Sequence, residues 1–493
     1  MFSRKPSRQA RPAVSAPVQH RHLLDEEAER KDTWHRQSLL QLSHPHLTAL
    51  QLWALGKATF AHALDRSELE KDGNVVTQRN IGIELEEQRW RVTDASGAKV
   101  PTKTVIIKRP HFELQAESSG DTVSVLEMVT DSPGVTRAEE WLAMKREMCA
   151  LIDELKASAG SKKRAVKSGK LVGGAPGYLI HPPQLPGKAA AWNPFLQVTA
   201  GIPLAAIPRL LRTLNDDRLA TVVPPGVHAE EKLARHLAPV FSRDGQPSAE
   251  LTGLAALLAA MLTEGASRGC SSIPFLKGAF AVMPRTALPH MFMLLPAADR
   301  ELLAPNPDAW VEALARISGR SPDEPVVSPS LAAPGTTLPV ARLTTSVDTW
   351  LRAMLPRVTD QGLSAGVDLL TVEGKLAGLS DDSARGRAAA LSRDVSVQSP
   401  SDNAFSPVSV PQEPEQLQEL LNQLHRLHDA GSLGGLGAVH DTVKYSGGHS
   451  LPAAVLEIRR PAEKSWAQYM DSYLDRVYQA VGDSLAAVGG SGR

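Results

Sequence analysis

Cysteine is scarce. Cys149 and Cys270 are the only two in 493 residues, which gives neither a zinc-ligand spacing nor a disulfide framework and fits a reducing compartment. Charge of one sign is missing too: Lys plus Arg and Asp plus Glu each number 54. Whole-chain attraction to nucleic acid is thereby excluded, and any basic surface must be local. Aromatic residues make up 4% of the chain. The longest apolar run, GLAALLAAML at 253–262, is about half of the roughly 20 residues that a spanning helix needs, so it reads as a buried helix of a soluble protein. The first 22 residues carry five Lys or Arg, no acid and no apolar h-region. They are therefore not read as a secretory signal, and 1–36 is expected to be a basic, disordered tail. A phosphate-binding GxxxxGK[ST] loop, an HExxH helix and a GxSxG elbow are all absent. GLGAVHD at 435–441 is too short a glycine match for a dinucleotide fold.

What is present is ordinary globular composition, 42% hydrophobic and 22% charged, in a chain long enough for a large core. From about residue 37, apolar recurrence on either side of Pro45 predicts two helices. Between 74 and 130, short runs such as IGIELE, KTVIIK, HFELQAE and TVSVLEMVT alternate with turn residues, which predicts an antiparallel sheet. RAEEWLAMKREMCALIDELK then reads as a helix ending near 158–161. The basic segment from 156 to 190 reads as a mobile surface loop, and the Ser/Pro-rich stretches 319–340 and 394–414 as mobile or inserted connections. FLQVTAGIPLAAIPRLL reads as a strand running into a helix. Further helices are expected at 229–238, 249–264, 308–317, 345–355 and from Pro414. A strand, PAAVLEIRRP, and a closing helix finish the chain, with 488–493 a disordered end. There is no internal repeat.

Three short patterns carry the chemistry. In IGIELE, alternation turns Ile81, Ile83 and Leu85 one way and sets Glu84 and Glu86 about 7 Å apart on the other face; an ordinary solvated stripe is the plain alternative. In TVSVLEMVT, Glu127 interrupts an apolar strand, and a carboxylate buried there requires a cation. In VLEIRR, Glu457 and Arg459 share a face. Such a pair suits a hard metal beside a phosphate oxygen, or else a surface salt bridge. Arg285, on a loop after an apolar run, and Lys277 are further phosphate candidates. His440, Asp441, Lys444 and His449 precede the VLEIRR strand and are candidate borders of the site. The histidine pairs 20/22, 44/46 and 425/428 do not make metal sites.

Taken in order, ELE at 84–86, LEMVTD at 126–131, QVTAG at 197–201 and LEIR at 456–459 resemble the amidoligase branch of the glutamine synthetase and glutamate-cysteine ligase superfamily. The resemblance spans most of residues 78–487. It implies an α+β fold, a curved antiparallel sheet with helices on one face, forming a single large domain over 37–487 with a concave face that binds ATP and two divalent metals such as Mg. By the same resemblance Glu84, Glu86, Glu127 and Glu457 would be metal ligands and Arg459 would steady the transferred phosphoryl group, with His111 and Glu113 adding to that face. Gln197 and Thr199 depart from the pattern, standing where the family has histidines, while Gly201 keeps to it.

The function so implied is an ATP-dependent carboxylate-amine ligase working through an acyl phosphate. Its substrates would be a carboxylate and an amine, with a protein as one candidate. The tail and the Ser/Pro-rich stretches suit a bacterial effector or toxin-associated enzyme, cytoplasmic or secreted by a non-Sec route. The alternative that Gln197 and Thr199 leave open is a catalytically inactive glutamine-synthetase-like fold acting as a binding or structural protein.

Overall fold

Alternation of apolar and polar side chains builds the first half of the fold. The computed structural model describes residues 76–119, 123–131, 134–160, 162, 164–184, 192, 194–216, 219, 233, 235–238, 247–266, 273–274, 280, 282–328, 331, 340–359, 362–378, 384–398, 404–408, 439–446, 448–460 and 466–489. β1 (Val76–Gln78) leads into β2 (Ile81–Asp94). There Ile81, Ile83 and Leu85 are buried, while Glu84 and Glu86 are half-buried on the opposite side. β3 (Val105–Lys108), β4 (Phe112–Ser119) and β5 (Val123–Thr130) follow as an antiparallel meander. Phe112, Leu114 and Ala116 of β4 and Leu126 and Met128 of β5 add to the buried side. The antiparallel sheet read from residues 74–130 is therefore present from Val76 onward.

α1 (Ala138–Ala159) begins where the Glu140 carboxylate accepts the backbone N–H groups of Thr136 and Arg137 at 2.8 and 3.1 Å, filling donors that a helix start leaves open. It ends at Gly160, whose φ of 61° favours glycine. β6 (Val166–Lys167) pairs with β7 (Tyr178–His181), and β7 pairs with the far end of β2. β8 (Phe195–Ile202) then runs into α2 (Ile207–Asp216), and α3 (Ala249–Ala266) holds the apolar run. Nearly every residue of α3 is buried. A methyl group at Gly253 would lie 1.7 Å from the Leu204 carbonyl oxygen, so glycine is what lets α3 approach so closely.

The rest of the chain adds β9 (Ile273–Pro274), β10 (Val282–Pro284), β11 (Pro325–Val327), β12 (Ala341–Ser346), the hairpin β13 (Arg357–Thr359) and β14 (Gly362–Ser364), and β15 (Val395–Gln398) and β16 (Phe405–Pro407). β17 (Asp441–Tyr445), β18 (Ser450–Arg460) and the C-terminal helix Trp466–Gly489 close it. The main sheet has eleven strands, in the order β1-β17-β18-β8-β2-β5-β4-β3, with β10 on β18, β7 on β2 and β6 on β7. All of these pairings are antiparallel. A second, five-stranded sheet, β16-β15-β12-β11-β9, carries a small apolar cluster of its own around Leu331, Leu343, Leu391 and Val395. The chain is thus α+β, with a large antiparallel sheet.

Two helices of the layer against the main sheet are tied to each other by a buried ion pair. Lys145 Nζ of α1 lies 2.7 Å from Asp475 Oδ1 of the C-terminal helix, and Trp141 Nε1 donates to the same oxygen at 2.9 Å. The Trp141 ring also sits against Tyr478, with centroids 4.7 Å apart.

Several expected connections turn out to hold structure. The 156–190 segment contains the end of α1, β6, a 3₁₀ turn at Ser168–Lys170 and β7. The 319–340 stretch contains β11, and 394–414 contains β15 and β16. Strands of two to four residues show at most two alternations and are fixed by partners far along the chain, so local periodicity cannot reveal them. The last helix reaches Gly489 and so enters the segment expected to be a disordered end. Expected helices at 249–264, 308–317 and 345–355 correspond to α3, Pro307–Ser318 and Val347–Met354. The tail, the two helices after residue 37 and the helix after Pro414 lie outside the described residues.

Asp475→Ala strips the Lys145 ammonium of its buried carboxylate and is expected to lower the unfolding free energy by about 3 kcal/mol. Urea denaturation measures this; a loss under about 1 kcal/mol would show that water already reaches the pair.

Candidate functional site

Residues directly opposite in an antiparallel pair project to the same face, and the register of four strands gathers the acidic patterns. Glu84 of β2 stands opposite Gln197 of β8 and Val129 of β5, and Glu86 opposite Glu127. Glu457 of β18 stands opposite Thr199, and Arg459 opposite Gln197. On β4, Gln115 is opposite Glu127 and Glu117 opposite Val125. Glu84, Glu86, Glu117, Glu127, Glu457 and Arg459 therefore line the face that Ile83, Met128, Val198 and Ile458 turn away from.

The electrostatics follow from burial. Glu127 and Glu457 are 2% and 1% exposed, and each meets cations. Lys103 Nζ, from the turn before β3, lies 2.5 Å from Glu127 Oε2 and 3.0 Å from Glu117 Oε2. Arg459 Nε donates to Glu457 Oε1, and Arg285 Nη1 lies 3.2 Å from Glu457 Oε2. Between these pairs sits Glu84, whose carboxyl is pushed up from 4.5 to about 8. Burial is the main cause, and a hydrogen bond to Glu127 with that group's charge adds to it; Lys103 and Arg285 pull the other way. Burial also raises Glu86, helped by the charges of Glu117 and Glu84. Glu457 too is raised by burial, against the pull of Arg459 and Arg285.

The other sequence candidates divide. Arg285 reaches the face because its N–H and that of Thr286 donate to the Val455 carbonyl at 2.8 and 3.1 Å, laying this loop across β18. Glu113 stands opposite Val129 and so shares the face of Glu84, toward its outer side, where Lys108 Nζ donates to it at 2.6 Å. His111 precedes β4, and its carbonyl accepts from Asp131 N. Asp441 Oδ1 accepts from Asn80 Nδ2 at 2.8 Å, beside Gly201, where a methyl group would meet Asp441 Oδ2 at 2.1 Å. Gly201 is thus a steric requirement of the crowded β8–β17 approach. His449 stacks on Tyr445 with ring centroids 4.7 Å apart, and His440 and Lys444 are exposed. Lys277 and the three histidine pairs lie outside the described residues. Sequence reasoning missed Lys103 and Glu117. Glu117 was legible as the next same-face acid after Glu113 and Gln115, whereas Lys103 arrives from a turn and carries no local signal.

The donors suit a hard divalent cation in kind, being carboxylate oxygens throughout. Glu457 Oε2 is buried and accepts no hydrogen bond from the described residues, its contact with Arg285 lacking the geometry for one. As the side chains lie, however, no three His, Cys, Asp or Glu among the described residues are gathered closely enough to hold a metal. Ammonium and guanidinium groups stand between the carboxylates instead.

Folded Glu84 keeps a proton that the unfolded chain releases above pH 4.5, so its stabilising contribution is full below that pH and is lost as pH rises to about 8. Glu84→Gln cannot ionise and is expected to flatten the fall of melting temperature between pH 5 and 8, removing up to about 1.4 kcal/mol per pH unit. Equal slopes in the two proteins would contradict a buried protonated carboxyl.

No protein-family model matches the chain, and no curated protein is significantly similar to it. Among solved structures, a point mutant of the ACD domain of a Vibrio cholerae VgrG toxin, in complex with ADP and Mn, superposes with a TM-score of 0.32 at 13% identity, covering 51% of this chain and 88% of that one. A match at that level assigns no function.

Proposed function

We propose that the acidic face of the main sheet is the active site of an ATP- and Mg-dependent carboxylate-amine ligase. The observation that carries this reading is the convergence of Glu84, Glu86, Glu127, Glu457, Arg459 and Arg285, from separate segments, on one sheet face. Glu84, Glu86, Glu127 and Glu457 would hold Mg, which when bound supplies neutralisation of phosphate charge. Arg459 and Arg285 flank Glu457 and would bind oxygens of the phosphoryl group in transit. In the reaction, a substrate carboxylate oxygen bonds to the γ-phosphorus as the bond to ADP breaks. An amine then attacks the acyl carbon, its surplus proton is taken up by the departing phosphate, and the amide forms. The chain's part is positioning and fixed charge, so it needs no nucleophile of its own.

A second reading, binding without turnover, is favoured by Gln197 and Thr199 at the centre of the face and by the ion pairs that engage Glu127 and Glu457. The protein-directed effector role belongs with the first reading as a proposal about its substrate.

A thermal-shift titration with Mg, ATP and both together tests for a metal-nucleotide site, and amine-dependent release of phosphate from ATP then separates turnover from binding alone. For a ligase the combination should stabilise the wild type by more than the sum of its parts, by about 2.7 kcal/mol at a hundredfold excess over Kd. Glu457→Gln and Arg459→Ala should lose that gain. No response of the wild type to either ligand, or to both, would reject a metal-nucleotide site here.

A further inference from the structure

Lys103 is built into its position. It is the one residue other than glycine with a positive φ, 64°, among the described residues, a conformation that L side chains rarely adopt. The turn is held there by β4: Lys103 N donates to the Ala116 carbonyl at 2.7 Å, and Ala116 N donates to the Thr104 carbonyl at 2.9 Å. The result is an ammonium 2.5 Å from one oxygen of Glu127 and 3.0 Å from Glu117. Glu127 is 2% exposed, but the Lys103 side chain is 58% exposed. The cation therefore caps a buried carboxylate from the solvent side and can swing into water without disturbing the core. Salt bridges with both partners in solvent contribute little; here one partner is desolvated, so a cation at this place matters to the fold.

The same face holds Glu84, Glu86, Glu113, Glu117, Glu127 and Glu457, against Lys103, Lys108, Arg285 and Arg459. The two arginines lie against Glu457, while Lys103 contacts both Glu117 and Glu127. A divalent ion arriving there would meet oxygens already bonded to the ammonium.

We propose that Lys103 is a resident cation of this face, occupying the Glu117 and Glu127 side in place of a metal, and that a divalent ion binds there only by displacing it. The identity of the incoming ion rests on the ligase reading; the competition itself rests on the contacts of Lys103. Such a residue makes metal loading conditional, since the ion must outcompete a tethered charge.

The test is a titration of Mn²⁺, followed by electron paramagnetic resonance without nucleotide, on the full chain as wild type, Lys103→Met, Lys103→Gly and Lys103→Arg. Removing the charge should tighten Mn²⁺ binding at least tenfold in both neutral variants, with glycine relieving the backbone as well, while Lys103→Arg stays near wild type. Unchanged or weaker binding in both neutral variants overturns the proposal and leaves the ligase reading standing. No binding by any of the four proteins overturns the proposal and the metal-dependent reading together. A tenfold gain in a protein that shows no thermal response to Mg and ATP sustains the proposal and sinks only the ligase reading.

Discussion

Side chains alternate strictly across a strand, and the main sheet depends on that constraint. A slip of one residue in β2 would turn Ile81, Ile83 and Leu85 away from the helix layer and put Glu84 and Glu86 into it. The buried ladder of Ile83, Met128, Val198 and Ile458 fixes the register, and burying those side chains stabilises by roughly 1.5–3 kcal/mol apiece. Once that apolar face is paired, the opposite face has no freedom left. Glu86 must stand by Glu127, and Glu457 by Thr199. The candidate site is in this sense the reverse side of the core.

Holding several carboxylates together in a half-buried sheet face has a free-energy cost, and the protein meets it in three ways. One acid, Glu84, keeps its proton to about pH 8. Glu457 is bracketed by two guanidiniums, and Glu127 is capped by an ammonium carried on a strained turn. A buried ion pair can often be replaced by apolar packing at little loss or some gain. The titratable charge retained on one face is what motivates the proposed site for phosphates and cations.

Much of this was legible in the sequence because it is local. The period-two pattern of IGIELE marked both the strand and the side on which its acids lie, and a Glu inside the apolar TVSVLEMVT run marked a buried carboxylate. The helical spacing of Trp141, Met148, Leu151 and Leu155 marked α1. The short strands β11, β15 and β16 were not legible, since three or four residues give no period and their partners lie elsewhere in the chain. Asp475 shows the same limit from within a well-marked helix: nothing beside it announces that Lys145, on a helix more than three hundred residues earlier, will meet it.

The sequence by itself determined which residues are carboxylates, which strand face each occupies and where the long helices and strands run, because those properties follow from side-chain chemistry and from periods of 2 and 3.6 residues. Only the tertiary structure decided that the three acidic patterns meet on one face, that Arg285 folds over β18 and that Lys103 reaches Glu127. These are contacts between segments distant in the chain. They are set by sheet register and by the path of a turn, and the physical reason they escape a local reading is that non-local pairing leaves no period in the residues that make it.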